Sequence, residues 1–305
     1  MTIKKTDLSG ILGFPVAPFN SDGSLNEKAF SENVEFLVKA EVSAVFIAGG
    51  AGEYQSLTER EYEQMLEVAL SITNQKVPLY TGVGGNISTS IELAQLSERK
   101  GADGYLILPP YLIHGEQEGL YHYYKSIIES TSLNAVIYQR DNAVLKLKTL
   151  EQLISNHPQL VGFKDGIGNM EFNIEAIHSI GNRVQWINGM PFAEITMPAY
   201  FHLGYQVYSS AISNYIPHIS KFFYEALKEN NQELIHDLYI DVLLPINQIR
   251  KEKKGYAVSL IKAGMEIIGL PVGELVRPPL VAVEKEHYRE LEKVIAKAHS
   301  LYPEK

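Results

Sequence analysis

The chain has no cysteine, which excludes disulfides, thiolate nucleophiles and cysteine-based metal sites. No apolar run approaches the length needed to span a bilayer, so no membrane partner is expected. Basic residues are scattered and the formal net charge is −9. A nucleic-acid groove needs a concentrated basic face, so no nucleic-acid partner is expected either. Small anionic substrates stay open, because local charge decides them. The opening stretch MTIKKTDLSG has two lysines with no apolar segment behind them. No secretory signal is expected from it, and a cytoplasmic location is. The zinc motif H-E-x-x-H is absent, and His114 and His122 have no ligand pattern around them. Neither a metal nor an organic cofactor is expected.

What is present is a regular beat. The 305 residues, 45% of them hydrophobic, suit one large α/β barrel or two ordinary domains. Apolar, strand-like runs such as ILGFPVAPF (11–19) and SAVFIAGG (43–50) alternate with amphipathic segments. Ser24 with Glu27, and Thr58 with Glu61, have capping-box spacing ahead of the first two helices. The pattern continues through VPLYTGVGG, GADGYLILPP, NAVIYQR, LVGFKDG, VQWING and YQVYSSA. Helices are predicted near 88–100, 116–130, 147–156, 171–180, 191–203 and 215–229, and residues 231–302 read as helices only. Eight such units predict a (β/α)₈ TIM barrel over 1–230 with a C-terminal helical extension over 231–305. A doubly wound dinucleotide-binding sheet competes, but GVGGNI (82–87) lacks the third glycine of its phosphate motif.

In such barrels the chemistry sits at the C-terminal ends of the strands. Lys164, in VGFKDGIGN, is the one amine among those ends, and Tyr138 closes the neighbouring strand. A desolvated lysine loses its charge more readily and can add to a ketone, with a tyrosine moving the protons. The alternative is a structural ion pair, most simply with Asp165. In AGGAGEYQSL (48–57) the glycines leave backbone amides free to hold a carboxylate, and Glu53 is expected to brace the loop. Ser259 and Lys262 match S-x-x-K, but on a helix expected far from the strand ends. The cluster LYHYY (120–124) reads as helix packing or an oligomer contact, and RPP (277–279) as a rigid loop.

G-x-x-G-E after the second strand, a tyrosine ending the fifth and G-[FI]-K-[DE] ending the sixth resemble the dihydrodipicolinate synthase/N-acetylneuraminate lyase family. The likeness covers nearly the whole chain in order. It implies a Schiff base between Lys164 and a 2-keto acid, with Tyr138 as the catalytic tyrosine. It places the keto-acid carboxylate on Gly50 and Ala51, with Gly52 in the same loop. It also implies a homo-oligomer, a dimer or tetramer.

The departures from dihydrodipicolinate synthases narrow the activity. Two threonines are replaced by Gly50 and Ala51, a partner-subunit tyrosine by Leu112 beside Tyr111, and an arginine by Ala143. FPVAPF, GGAGEYQSLT, FKDGIGNME and VYSSAISNYIP instead resemble a branch that dehydrates and decarboxylates a keto-sugar diacid. For the remote end of that substrate the candidates are Arg140, Asn142, Ser209, Ser210, Ser213 and Asn214. A class I 2-keto-acid aldolase or dihydrodipicolinate synthase-like lyase using the same lysine, and a noncatalytic keto-acid-binding protein, are the alternative readings.

Overall fold

The computed structural model describes residues 8–111 and 114–304, so Leu112 and the stretch 1–7 lie outside the described residues. Eight parallel strands close into a barrel in sequential order. They are β1 Gly10–Gly13, β2 Ala44–Ile47, β3 Leu79–Gly85, β4 Gly104–Pro110, β5 Asn134–Gln139, β6 Leu160–Asp165, β7 Gln185–Asn188 and β8 Val207–Ser210. The helices that follow them are α1 Glu27–Lys39, α2 Glu59–Thr73, α3 Ile87–Lys100, α4 Gln117–Ile128, α5 Leu147–Asn156, α6 Met170–Ile180, α7 Met197–Leu203 and α8 Pro217–Lys228. The extension adds α9 Gln232–Leu238, α10 Leu244–Lys251, α11 Tyr256–Ile267 and α12 Lys285–Leu301, with a π-helical turn at Tyr239–Leu243 joining the first two.

Three local expectations are corrected. The first strand stops at Gly13 rather than running to Phe19. Pro15 and Pro18 have no N–H to donate to a sheet ladder. The cap of α1 is Asn26, whose side chain accepts from the Ala29 amide at 3.0 Å, while Ser24 is held by Asp22. The Ser24–Glu27 box therefore does not form, whereas the Thr58–Glu61 box does, in both directions. The helix expected over 191–203 is a 3₁₀ turn at Ala193–Ile195 followed by α7, which starts where proline occupies its first turn.

The barrel interior is filled by side chains of alternate strand residues, among them Leu12, Phe46, Leu106, Val136, Ile187 and Val207. Phe14, Phe46 and Tyr80 stack at centroid separations of 4.9 and 4.6 Å. Gly104 leaves room for this stack, since a Cβ there would lie 2.3 Å from the Tyr80 ring.

Candidate active site

Tyr138 and Lys164 are paired residues of β5 and β6. The register shifts between Ala135 and Val136, so that Val136 pairs with Gly162 and the two functional side chains face inward together. Strand alternation sends their neighbours outward. Asp165 is fully buried behind the barrel, where its Oδ2 accepts from the Tyr200 hydroxyl at 2.6 Å and the Asn173 amide at 2.8 Å. Its Oδ1 accepts from the Ile167 amide at 3.0 Å. The expected alternative, a Lys164–Asp165 ion pair, is thereby excluded, and no other carboxylate among the described residues pairs with Lys164.

The surroundings of Lys164 are aromatic. Its Nζ lies 4.1 Å from the Tyr138 ring centroid and 4.3 Å from that of Phe14, and the residue is 5% exposed. Ring faces compensate an ammonium less than a carboxylate does. Burial, and then the nearby Arg140 guanidinium, push the amine down to about 7. Lys164 is thus substantially neutral near physiological pH, the form in which it is a nucleophile.

Tyr138 is equally constrained. Its hydroxyl donates to the Gly189 carbonyl at 2.9 Å and accepts from Arg140 Nη1 at 3.0 Å. Burial raises its pKa, and the Arg140 charge opposes that rise. Gly189 has a second role. A Cβ there would fall 2.5 Å from Lys164 Cγ and 2.7 Å from Cε, so a side chain would displace the lysine.

A cavity of about 1640 Å³ opens above this pair at the C-terminal ends of the strands. Gly50, Ala51, Arg140, Asn142 and Ser209 line it. In the loop after β2 the carbonyls of Gly49 and Gly50 accept from Tyr54 and Glu53, both at 3.2 Å. The amides of Gly50 and Ala51 donate to no group among the described residues. A Cβ on Gly50 would meet nothing within 4 Å. Gly52 is buried beneath the loop, where a Cβ would lie 3.1 Å from the Ala48 nitrogen.

A sequence profile of the dihydrodipicolinate synthetase family matches residues 7–298. The chain belongs to this family. It is 62% identical over 297 residues to a protein of Bacillus subtilis called "Probable 5-dehydro-4-deoxyglucarate dehydratase", covering 97% of this chain and 96% of that one. A protein of the same name from Oceanobacillus iheyensis is 56% identical over 296 residues, covering 97% and 96%. Among solved structures, a dihydrodipicolinate synthase from Oceanobacillus iheyensis has a TM-score of 0.88 at 29% identity, covering 96% of this chain and 97% of that one.

Against this family background, the extension departs from what its sequence suggests. Lys262 on α11 is not remote from the strand ends. Its Nζ donates to Glu53 Oε1 at 2.6 Å and to the Leu275 carbonyl at 2.6 Å, and it is fully buried. Glu53 also accepts from the Arg277 amide at 2.9 Å, and Arg277 in turn holds Glu61. Glu53 thus braces the loop after β2 against the extension. The two buried lysines near this mouth differ in one feature: Lys262 has a carboxylate partner, and Lys164 has none among the described residues.

The remaining candidates divide. Ser209 faces the cavity, with its hydroxyl 3.5 Å from the Asn188 carbonyl. Asn142 spans two strand-end loops by donating to the Pro110 carbonyl at 3.1 Å. Ser210 borders the cavity, but its hydroxyl points outward to Glu194 Oε1 at 2.6 Å and Ser220 Oγ at 2.8 Å. Ser213 and Asn214 are not brought to the cavity. Ser213 donates to the Ser210 carbonyl at 2.9 Å, and Asn214 links the Phe14 carbonyl to Asn33. Both are buried: Ser213 closes the turn after β8, and Asn214 ties that turn to the loop after β1 and to α1.

Two cavity residues escaped the sequence reading. Gly189 reads as an ordinary strand end, because its contact with Lys164 joins different strands. Arg250, on α10, lines the cavity and lies near enough to Arg140 for their charges to repel. Its Nε is held by Asn247 at 3.1 Å. In the run QIRKEKKG it reads as one of several solvated charges.

Proposed function

We propose that this chain converts 5-dehydro-4-deoxyglucarate to 2,5-dioxopentanoate, CO₂ and water through a Schiff base on Lys164, as a step in glucarate and galactarate breakdown. The observation that carries this reading is the buried Lys164 amine, without a carboxylate, facing Tyr138 in the cavity. The names of relatives up to 63% identical support the substrate.

Carbons are counted from the carboxylate next to the ketone. The keto-acid carboxylate rests on the free amides of Gly50 and Ala51. Neutral Lys164 adds to C2, water leaves with Tyr138 moving the protons, and an iminium forms. The iminium acidifies C3, and loss of a proton gives an enamine that expels the C4 hydroxyl as water. The resulting conjugated iminium accepts the electron pair of the C5–C6 bond as C6 leaves as CO₂. Protonation at C3 and tautomerisation of the C5 enol yield the aldehyde. Hydrolysis of the iminium restores the ketone and frees the lysine. One covalent electron sink serves both eliminations.

Arg140 and Arg250 are the partners of the remote carboxylate in this scheme, since two neighbouring cations on one cavity wall are relieved by an anion between them. Ser209 and Asn142, which line the cavity, are the proposed partners of the hydroxyls. The proposal extends to a cytoplasmic homo-oligomer, which light scattering tests. Incubation with 5-dehydro-4-deoxyglucarate tests the reaction: equimolar CO₂ and 2,5-dioxopentanoate are expected. A new carbon–carbon cleavage product without CO₂ would favour the aldolase, and binding without product the noncatalytic reading.

A further inference from the structure

His218 lies in the first turn of α8, His299 in the last turn of α12, and Glu304 just beyond α12. One ligand atom from each falls within 4.8 Å of the others. The His218 ring is buried, 6% exposed, and neither of its nitrogens makes a hydrogen bond. Buried polar groups are normally satisfied, so an imidazole with no partner on Nε2 and only a long carboxylate contact on Nδ1 calls for one. Around it are a second imidazole, with ring centroids 4.7 Å apart, and the Glu304 carboxylate 3.3 Å from Nδ1. Two imidazole nitrogens and a carboxylate oxygen form a donor set suited to a late first-row divalent cation, whereas Mg²⁺ and Ca²⁺ prefer oxygen alone.

We infer that His218, His299 and Glu304 form a binding site for Zn²⁺ or a similar divalent transition metal on the outer face of the barrel, clamping α12 to α8. His299 and Glu304 are exposed and have rotamer freedom to close onto an ion held by the fixed His218. The clamp joins the last helix to the barrel across the segment that supplies Arg250 to the cavity and Lys262 to Glu53. A metal here braces the extension rather than taking part in chemistry at Lys164.

The test uses the untagged, chelator-treated chain titrated with Zn²⁺ in a calorimeter, with Mg²⁺ as control. One Zn²⁺ per chain, a rise in Tm with Zn²⁺ and none with Mg²⁺ are expected. Co²⁺ in its place should give the visible absorption of a tetrahedral site. His299→Ala and Glu304→Gln change exposed side chains and should fold normally while weakening Zn²⁺ binding at least tenfold and removing the Tm rise. His218→Gln should do the same if it folds. Absence of stoichiometric Zn²⁺ binding, or variants that bind like the parent, would overturn the site.

Discussion

Lys164 and Tyr138 sit side by side on adjacent strands, with Nζ 4.1 Å from the tyrosine ring centroid, and no carboxylate among the described residues pairs with either. Arg140 touches the tyrosine hydroxyl and adds positive charge near the amine. The proposed nucleophile, the proposed proton carrier and the cation proposed to tune both thus form one unit.

Imine formation should therefore follow a titration near pH 7. The neutral fraction of Lys164 grows as pH rises through about 7 and then levels off. Reductive trapping of pyruvate with cyanoborohydride, measured from pH 5 to 9, should trace that curve. Arg140→Met removes a cation that disfavours lysine protonation, so the curve should move to higher pH. An unmoved curve, or one moving to lower pH, would show that Arg140 does not tune the amine.

Tyr138→Phe keeps the ring against Lys164 and removes only the hydroxyl bound to Gly189 and Arg140. General acid–base groups contribute roughly 10²–10⁴-fold. A loss of kcat in that range with an unchanged Tm is expected. A loss below about tenfold would leave the residue as packing alone.

The two ends of the substrate should separate by mutation. Gly50 faces open space, so Gly50→Val should fold while crowding the amides proposed to hold the keto-acid carboxylate. Trapping of both pyruvate and the six-carbon diacid should weaken. Arg250→Met should spare pyruvate and lower kcat/KM for the diacid by about ten- to a hundredfold, the scale of a charged hydrogen bond. Equal effects of Arg250→Met on both ligands would place the remote carboxylate elsewhere.

Glu194 gives a pH-dependent stability. Its carboxyl is fully buried, one oxygen accepts from Ser210, the other has no partner among the described residues, and burial pushes it up to about 7. The fold favours the protonated form, so this contribution is complete below the unfolded value near 4.5 and is lost as pH rises through about 7. Glu194→Gln removes the titration. Its Tm should match the parent near pH 4.5 and exceed it near pH 8, and parallel Tm curves would contradict the buried, protonated acid.

The barrel was legible because each strand–helix unit carries its own period, and Lys164 and Tyr138 because each closes an apolar run. What chain order hides is direction and long-range contact. Ser209 and Ser210 are adjacent, yet alternation turns one to the cavity and the other to Glu194. Ser213 and Asn214 are polar and near a strand end, but local carbonyls and Asn33 occupy them first. Lys262 reaches Glu53 across more than half the sequence, a meeting that no local pattern announces.

The most direct measurement is borohydride reduction during turnover, followed by peptide mapping. Substrate mass is expected on the peptide carrying Lys164, and Lys164→Arg should abolish both the adduct and turnover while leaving the fold intact. An adduct on Lys262 or any other lysine, or turnover by Lys164→Arg, would contradict the Schiff-base assignment.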